Sequence, residues 1–176
     1  NADNLEKILT KTRDLIPNQK LIIDANEAFN IEDLKLNADL FYKTRVNLIE
    51  QPLLSGNDNE LKGLNYPVSI CADESFHDSS DLDEMKNKYD TINIKLDKTG
   101  GLSEALIIAN EAKKLNLKIM LGCMVSSSLS MIPLLPLYQF ADFIDLDGPC
   151  FISHDRENGL IYEKGMILLN RDLCWG

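Results

Sequence analysis

The sequence predicts an α/β fold in which repeated βα units surround a parallel sheet. Short apolar runs alternate with longer amphipathic stretches along the whole chain. The polar residues that close these runs recur about every 24 residues, which is the length of one βα unit. With 176 residues and 44% hydrophobic content, the chain can form one sizeable core, so we expect one domain or part of one.

The elements follow one another in a regular order. Six strands are predicted, at residues 21–25, 46–51, 68–73, 92–96, 118–122 and 143–147. Helical patterns are predicted near residues 3–16, 31–44, 57–64, 79–89, 102–115 and 127–139. The clearest helix shows an apolar stripe at helical spacing, formed by Leu102, Leu106, Ile107 and Ala109. The glycines of "KTGG" (98–101) lack phosphate-loop spacing, so this segment is interpreted as a turn that leads into the helix.

The composition argues against several classes of partner. Acidic residues outnumber basic ones, 28 to 18, so the protein would repel nucleic acid and anionic membrane surfaces. No apolar run is long enough to span a bilayer and the first residues are polar, which favours a cytoplasmic location. Neither the two histidines nor the cysteine spacing fits a zinc or redox motif. We expect reduced thiols at Cys71, Cys123, Cys150 and Cys174.

Three consecutive predicted strands end in an acid. In parallel α/β folds the carboxyl ends of the strands meet on one face, so Asp24, Glu50 and Asp73 are expected to lie together. Their charges would repel one another unless a cation lies between them. Mg²⁺ prefers such oxygen ligands and usually keeps positions for water and substrate. A strand-end acid can also be only a helix cap or loop residue, but three in succession favour a magnesium site.

The next strand ends in Lys95. Alternation along a strand directs Lys95 to one side of the sheet and Leu96 to the other. A divalent cation near the lysine would disfavour its charged form. The sequence therefore predicts that Lys95 is a general base that works near neutral pH.

Several strings of the sequence resemble the enolase superfamily. Within it, the chain resembles the muconate-lactonizing subgroup, and in particular the dipeptide epimerases that act on L-Ala-D/L-Glu. The similarity extends over nearly the whole chain, from about residue 5 onward. The strings are "DANEAF" (24–29), "IEQPL" (49–53), "CADES" (71–75), "INIKLDKTGGL" (92–102), "GCMVSSSLS" (122–130) and "DLDGP" (145–149).

The resemblance implies a role for each matching residue. Mg²⁺ would be held by Asp24, Glu50 and Asp73, and Lys95 would be one of two acid/base lysines. The substrate ammonium group would be bound by Asp145 and Asp147, and the pocket would be lined by Cys123 and Met124. The metal ligands and Lys95 would be oriented by Asn26 and Glu74. Asp145 and Asp147 are two residues apart and would share one face of a strand, where paired carboxylates suit an ammonium group. The alternative for this pair is a loop role or a role in orienting other groups of the site. Ser126 replaces a Glu found in some family members, which leaves the preferred side chain of the substrate open.

The implied reaction is Mg²⁺-dependent epimerisation of a dipeptide by removal and return of its α-proton through an enediolate. Two alternatives stay open. One is another reaction of the subgroup, such as cycloisomerisation or formation of o-succinylbenzoate, and the other is a non-catalytic piece. The oligomeric state, including a homo-oligomer, is also open.

The family pattern implies more than this chain contains. It places a capping domain and a Lys-x-Lys strand upstream of Asn1. Residues 1–176 are therefore expected to be the C-terminal portion of a (β/α)8 TIM barrel, with six of its eight units. Without the second lysine we expect this chain alone to be inactive.

Overall fold

The structure, a computed structural model, describes residues 2–173, so Cys174 lies outside the described residues. The helices are α1 (Ala2–Leu15), α2 (Ile31–Leu36), α3 (Ala38–Lys43), α4 (Leu82–Met85), α5 (Leu96–Thr99), α6 (Leu102–Lys114) and α7 (Ser128–Met131). The strands are β1 (Ile22–Asp24), β2 (Leu48–Glu50), β3 (Ser69–Ala72), β4 (Thr91–Ile94), β5 (Lys118–Leu121), β6 (Phe143–Ile144), β7 (Ile161–Glu163) and β8 (Met166–Leu168). Short 3-10 helices span Asp58–Leu61, Ser79–Asp81, Ile132–Phe140 and Gly148–Phe151. Within the described part of the chain, no helix is long and apolar enough to cross a membrane.

The first six strands form one sheet in the order β1-β2-β3-β4-β5-β6. The pairs β1–β2, β2–β3, β3–β4 and β5–β6 are parallel. Each strand therefore follows its sheet neighbour in the sequence, with helical segments between them. The predicted α/β class with six strands in succession is confirmed.

The chain divides into two compact units. The first contains residues 1–76 and 83–92, and the second contains residues 77–82 and 93–176. β4 begins in the first unit and ends in the second, while β1, β2 and β3 belong wholly to the first.

Apolar side chains of strands and helices form the core of the first unit. Leu34, Phe41, Leu48 and Ile49 are fully buried. Helix α2 begins as the sequence favours, because the Asn30 side chain accepts a hydrogen bond from Asp33 N and completes a capping box.

The second unit contains the clearest predicted helix, α6, but its buried face differs from the prediction. Ala105, Ile108, Ala109 and Ala112 are buried, whereas Leu106 and Ile107 are exposed. The predicted stripe was therefore wrong at Leu106 and Ile107 and right at Ala109, while Leu102 is half-buried. The three alanines allow close backbone approach, and a reading based on the larger side chains misses a face built from small ones.

Two predicted strands end two or more residues earlier than expected, both next to residues that were predicted to belong to the site. β4 ends at Ile94, and Leu96 begins helix α5 instead of extending the strand. β6 consists of Phe143 and Ile144 only. The alternation that was predicted for Asp145 and Asp147 on a strand therefore does not apply, because both follow the end of β6.

The antiparallel hairpin β7–β8, which lies beyond the last predicted strand, was not predicted from the sequence. Its two-residue turn consists of Lys164 and Gly165, both with positive φ (51° and 75°). This is the backbone that a tight hairpin with right-twisted strands requires. The glycine after Lys164 is the feature of the sequence that could have indicated this turn.

Candidate functional site

The first unit brings acidic residues to the carboxyl end of neighbouring strands. Asp24 and Glu50 are register partners across β1 and β2, and Glu50 is paired with Cys71 on β3. Asp73 follows two residues after Cys71, directly beyond the end of β3. The three acids predicted as metal ligands therefore occur at the ends of successive strands. Neighbouring strands of a sheet lie about 4.8 Å apart. We call Asp24, Glu50, Asp73 and their neighbour Glu74 the acid cluster.

The members of the acid cluster differ in exposure. Glu50 is 3% and Asp73 5% exposed, whereas Asp24 is open to solvent. Asn26 donates its backbone N–H to Asp24 Oδ1 at 2.9 Å. Asn26 thus contacts a predicted ligand through its backbone, while an orienting role for its side chain stays a prediction.

Electrostatics shows how closely several of these acids lie together. Burial is the main cause that raises the pKa of the Glu74 carboxyl, and the charge of Asp73 adds to it. The charges of Asp24 and Glu27 raise the same pKa further. Buried Glu74 Oε2 has no hydrogen-bond partner. Glu27 was missed by the sequence analysis, although it lies within the "DANEAF" string.

The acid cluster suits a hard divalent cation in its donor chemistry. It offers carboxylate oxygens from three strand ends, and Glu74 adds an unpartnered buried oxygen. Within residues 2–173, however, no group of three or more His, Cys, Asp or Glu side chains is arranged so that it holds a metal as it stands. Asp24, Glu50 and Asp73 therefore remain predicted ligands.

Gln51 is a second residue of this region that the sequence analysis did not single out. It follows Glu50 directly, is completely buried and has a positive φ of 33°. A side chain other than glycine rarely adopts such a backbone, and strain of this kind concentrates at functional sites. The position of Gln51 between a strand-end acid and Pro52 was the available signal.

In the second unit, one lysine and two aspartates surround a thiol. Burial raises the pKa of Cys123, whose Sγ accepts a hydrogen bond from Gly148 N at 3.3 Å. The charges of Asp145 and Asp147 raise this pKa, and the charge of Lys95 lowers it. Four residues predicted from distant strand ends therefore lie close together. We call Lys95, Cys123, Asp145 and Asp147 the lysine–aspartate region.

The backbone of the lysine–aspartate region is mostly irregular. Lys95 is extended and half-buried directly before α5. Asp147 is the N-cap residue of a 3-10 helix, with φ −94° and ψ 2°. Buried Leu146 separates exposed Asp145 from exposed Asp147. The two carboxylates therefore reach solvent on either side of a buried residue, although no strand continues there.

Two further features border this region. Met124 is 54% exposed, and its carbonyl accepts a hydrogen bond from Ser126 Oγ at 3.1 Å. Asp145 and Asp147 line an open cleft of about 800 Å³ whose other walls include Leu134, Ile144 and Tyr162. The pair of carboxylates thus lies beside a largely apolar wall, an arrangement that suits a cation attached to an apolar group.

Residues 2–169 of the chain match the family described as Enolase C-terminal domain-like. Among curated proteins, the chain is 41% identical over 168 residues to an N-acetyl-D-glutamate racemase of Pseudoalteromonas sp., covering 96% of this chain and 53% of that protein. It is 42% identical over 157 residues to the L-Ala-D/L-Glu epimerase of Escherichia coli K12, covering 89% and 49%. The chain spans about half the length of these relatives.

Solved structures share the same fold. An enolase family member from Agrobacterium tumefaciens with homology to dipeptide epimerases, with bound sodium and L-Ala-L-Glu, matches with a TM-score of 0.88 and 45% identity, over 93% of this chain and 50% of that one. A dipeptide epimerase from Methylococcus capsulatus, complexed with Mg and the dipeptide L-Arg-D-Lys, matches with a TM-score of 0.84 and 28% identity, over 92% and 48%.

Proposed function

Because the chain belongs to the Enolase C-terminal domain-like family, we propose that the protein epimerises dipeptides of the L-Ala-D/L-Glu type in a Mg²⁺-dependent reaction. The observation that carries the proposal is the succession of strand ends that present Asp24, Glu50, Asp73 and then Lys95, in a chain 42% identical to an L-Ala-D/L-Glu epimerase. A relative of known structure was complexed with Mg and a dipeptide, which supports the choice of metal and substrate class.

The acids of the first unit are proposed to hold the metal. Asp24, Glu50 and Asp73 would ligate Mg²⁺ through carboxylate oxygens. When bound, Mg²⁺ would supply positive charge that stabilises the negative charge on the substrate carboxylate as the α-proton leaves. Glu74 would add to the negative potential that attracts the cation, because its carboxyl lies within the influence of Asp24 and Asp73.

The lysine of the second unit is proposed to move the proton. Lys95 Nζ would take the α-proton from one epimer or return it to the other. Inversion needs a second acid/base group on the opposite face of the α-carbon, since a single base returns the proton to the side from which it came. Asp145 and Asp147 would bind the substrate ammonium by charge-assisted hydrogen bonds and so hold the α-carbon in place.

A second candidate function is racemisation of an N-acylated amino acid. It is favoured by the 41% identity to an N-acetyl-D-glutamate racemase over 96% of the chain. The two candidates share the metal and the proton transfer but differ at the nitrogen: a dipeptide carries a cationic amine, whereas an N-acetyl group carries none. The paired carboxylates Asp145 and Asp147 are the observation that favours the dipeptide.

The proposal is tested by proton NMR in D₂O with the protein expressed from its complete reading frame. L-Ala-L-Glu and N-acetyl-L-glutamate are incubated separately, with Mg²⁺ or with excess chelator. We expect loss of the glutamyl α-proton signal and formation of L-Ala-D-Glu with Mg²⁺ only. Turnover of N-acetyl-L-glutamate without turnover of the dipeptide would replace the first candidate by the second. No exchange with either compound, or undiminished exchange in chelator, would contradict the proposed chemistry.

A further inference from the structure

The backbone of Gln51 ties together the segments that carry the acid cluster. Gln51 donates its N–H to Cys71 O at 2.8 Å, two residues before Asp73. Its carbonyl accepts a hydrogen bond from Glu27 N at 2.8 Å, in the segment that follows Asp24. Gln51 itself follows Glu50. One residue therefore links all three chain segments that end in a predicted metal ligand.

The side chain of Gln51 adds a second set of links. Its Oε1 accepts hydrogen bonds from Asp73 N at 2.8 Å and from Ser75 N at 3.1 Å. Its Nε2, which has two hydrogens to donate, lies within hydrogen-bond distance of three acceptors, Leu53 O at 2.8 Å, Ser75 Oγ at 2.9 Å and the Tyr89 hydroxyl oxygen at 3.2 Å. Only one orientation of the amide satisfies these partners, because the reverse would direct its NH₂ group at two N–H donors.

A buried ion pair is connected to this amide through the Tyr89 hydroxyl. The Tyr89 hydroxyl donates to Asp58 Oδ2 at 2.7 Å, and Lys88 Nζ lies 2.7 Å from Asp58 Oδ1. The side chains of Asp58 and Lys88 are 1% and 3% exposed. Burial acts to raise the pKa of Asp58, but the hydrogen bonds from Lys88 and Tyr89 outweigh it and lower that pKa. The lowered pKa favours the carboxylate form of Asp58, which accepts the Tyr89 hydroxyl proton and so fixes the direction of that hydroxyl.

We propose that Gln51, anchored through Tyr89 to the Asp58–Lys88 pair, is the positioning residue that sets the geometry of the metal-binding acids; this rests on the proposed Mg²⁺ site. A buried and fully satisfied polar network holds its members in one arrangement. The positive φ of Gln51 is maintained by the surrounding hydrogen bonds, as strained functional residues require. Outer partners of this kind orient metal ligands without touching the metal.

The test measures Mg²⁺ affinity by isothermal titration calorimetry, at a temperature at which circular dichroism shows each protein to be folded. Gln51→Met removes both the hydrogen-bond acceptor and the donor of the amide in a side chain of similar length. Tyr89→Phe removes only the hydroxyl that orients the amide. Tyr66→Phe is the matched control, since its hydroxyl donates to Leu34 O at 2.6 Å in the same unit but has no bond to Gln51.

We expect Gln51→Met to weaken Mg²⁺ binding by about 10- to 100-fold and Tyr89→Phe by roughly two- to tenfold, with Tyr66→Phe unchanged. Equal affinity of the unaltered protein and both network variants would overturn the positioning role while leaving the metal site intact. An equal loss in Tyr66→Phe would also overturn it, because general loosening of the unit would then explain the result. Failure of the unaltered protein to bind Mg²⁺ would overturn the metal site and this inference together.

Discussion

The acid cluster and the lysine–aspartate region are held by the fold in different ways. In the first unit, Glu50 and Asp73 are almost completely buried, and Gln51 bonds to the segments around them. In the second unit, Asp145 and Asp147 are exposed and follow a strand of only two residues. The first region is fixed by a buried polar network, and the second consists mainly of loop positions at the protein surface.

This difference corresponds to what each region is proposed to bind. Mg²⁺ accepts little deviation from octahedral geometry, so its ligands benefit from a rigid surrounding that is formed before the ion arrives. A flexible peptide substrate tolerates more adjustment, and loops can vary in sequence without disturbing a core. The comparison suggests that the metal site and the substrate contacts respond differently to mutation, which the following experiments test.

The largest effect is expected from the buried ion pair of the first unit. Lys88→Met leaves Asp58 buried without its main counter-charge, which should lower the free energy of unfolding by about 3–5 kcal/mol. Lys114→Met is the matched control in the second unit, where the exposed Lys114–Glu111 contact of 2.7 Å should contribute less than about 1 kcal/mol. Urea-induced unfolding measures both. Similar losses in the two variants would show that the ion pairs of the two units contribute equally to stability.

The Asp58–Lys88 pair should also make the free energy of unfolding depend on pH. The folded protein lowers the pKa of Asp58 below 3.8, so the stabilisation is present above pH 3.8 and is lost as the pH falls through the folded pKa. The difference in unfolding free energy between the unaltered protein and Lys88→Met should therefore become smaller as the pH is lowered from 7 to below 3.8, because protonation removes the unpaired buried charge of the variant and then the stabilising charge of the unaltered protein. Urea titrations at several pH values check this, and a difference that widens in acid would contradict it.

Metal affinity should depend on the first unit alone. Asp73→Asn removes one anionic ligand and should weaken Mg²⁺ binding by more than the roughly 10- to 100-fold loss that is typical of outer partners. Asp147→Asn, which removes the same charge in the second unit, should leave Mg²⁺ affinity almost unchanged. Calorimetric titration of both variants measures the contrast. Equal losses would assign Asp147 to the metal site.

Substrate affinity should show the opposite pattern. Asp147→Asn should raise the KM for L-Ala-L-Glu by the equivalent of a charge-assisted hydrogen bond, about 1.5–3 kcal/mol. Analogues with an acylated amine should be spared, because they present no positive charge to the carboxylate. Steady-state kinetics with both substrate types supplies the measurement. Equal losses with the two types would remove the reason for preferring dipeptides.

The smallest effect is expected at turn glycines, where the two units should behave alike. Gly165→Ala in the second unit and Gly56→Ala in the first each force a side chain into positive φ (75° and 82°), at a cost of about 1 kcal/mol. Neither added methyl group meets another atom within 4 Å. Thermal unfolding of both variants should therefore show similar small decreases in Tm. A much larger decrease at one glycine would reveal packing that the backbone argument omits.

The order of the strands and the placement of Asp24 and Glu50 at strand ends could be predicted from the sequence. Buried strands produce compact apolar runs, and the polar residue after each run marks its end, so Asp24 and Glu50 were located within their strands. The end of β4 was placed two residues too late, because Lys95 has the extended backbone that continues a strand while Leu96 already begins a helix. Strand ends depend on hydrogen bonds to neighbours, which a single segment does not reveal.

The parts that could not be predicted depend on long-range contacts. The position of Gln51 after a strand-end acid does not reveal its hydrogen bonds, since its partners Asp73 and Tyr89 lie 22 and 38 residues away. The buried face of α6 was misassigned because alanines give little hydrophobic signal. The acid cluster was predicted as a set, but the burial of Glu74 and the nearby charge of Glu27 arise only when the strands are assembled.

The sequential order of the strands has a consequence for how the chain finds its fold. Within the first unit, β1 pairs with β2 from residue 22 to 48, and β3 pairs with β4 from residue 71 to 91. The entropic cost of closing a loop grows only with the logarithm of its length, so these two closures differ by about 0.2 kcal/mol. Neither of these two pairings requires a much larger search than the other. Assembly can therefore proceed by adding one neighbouring strand at a time, with each new pairing confined to a short stretch of chain.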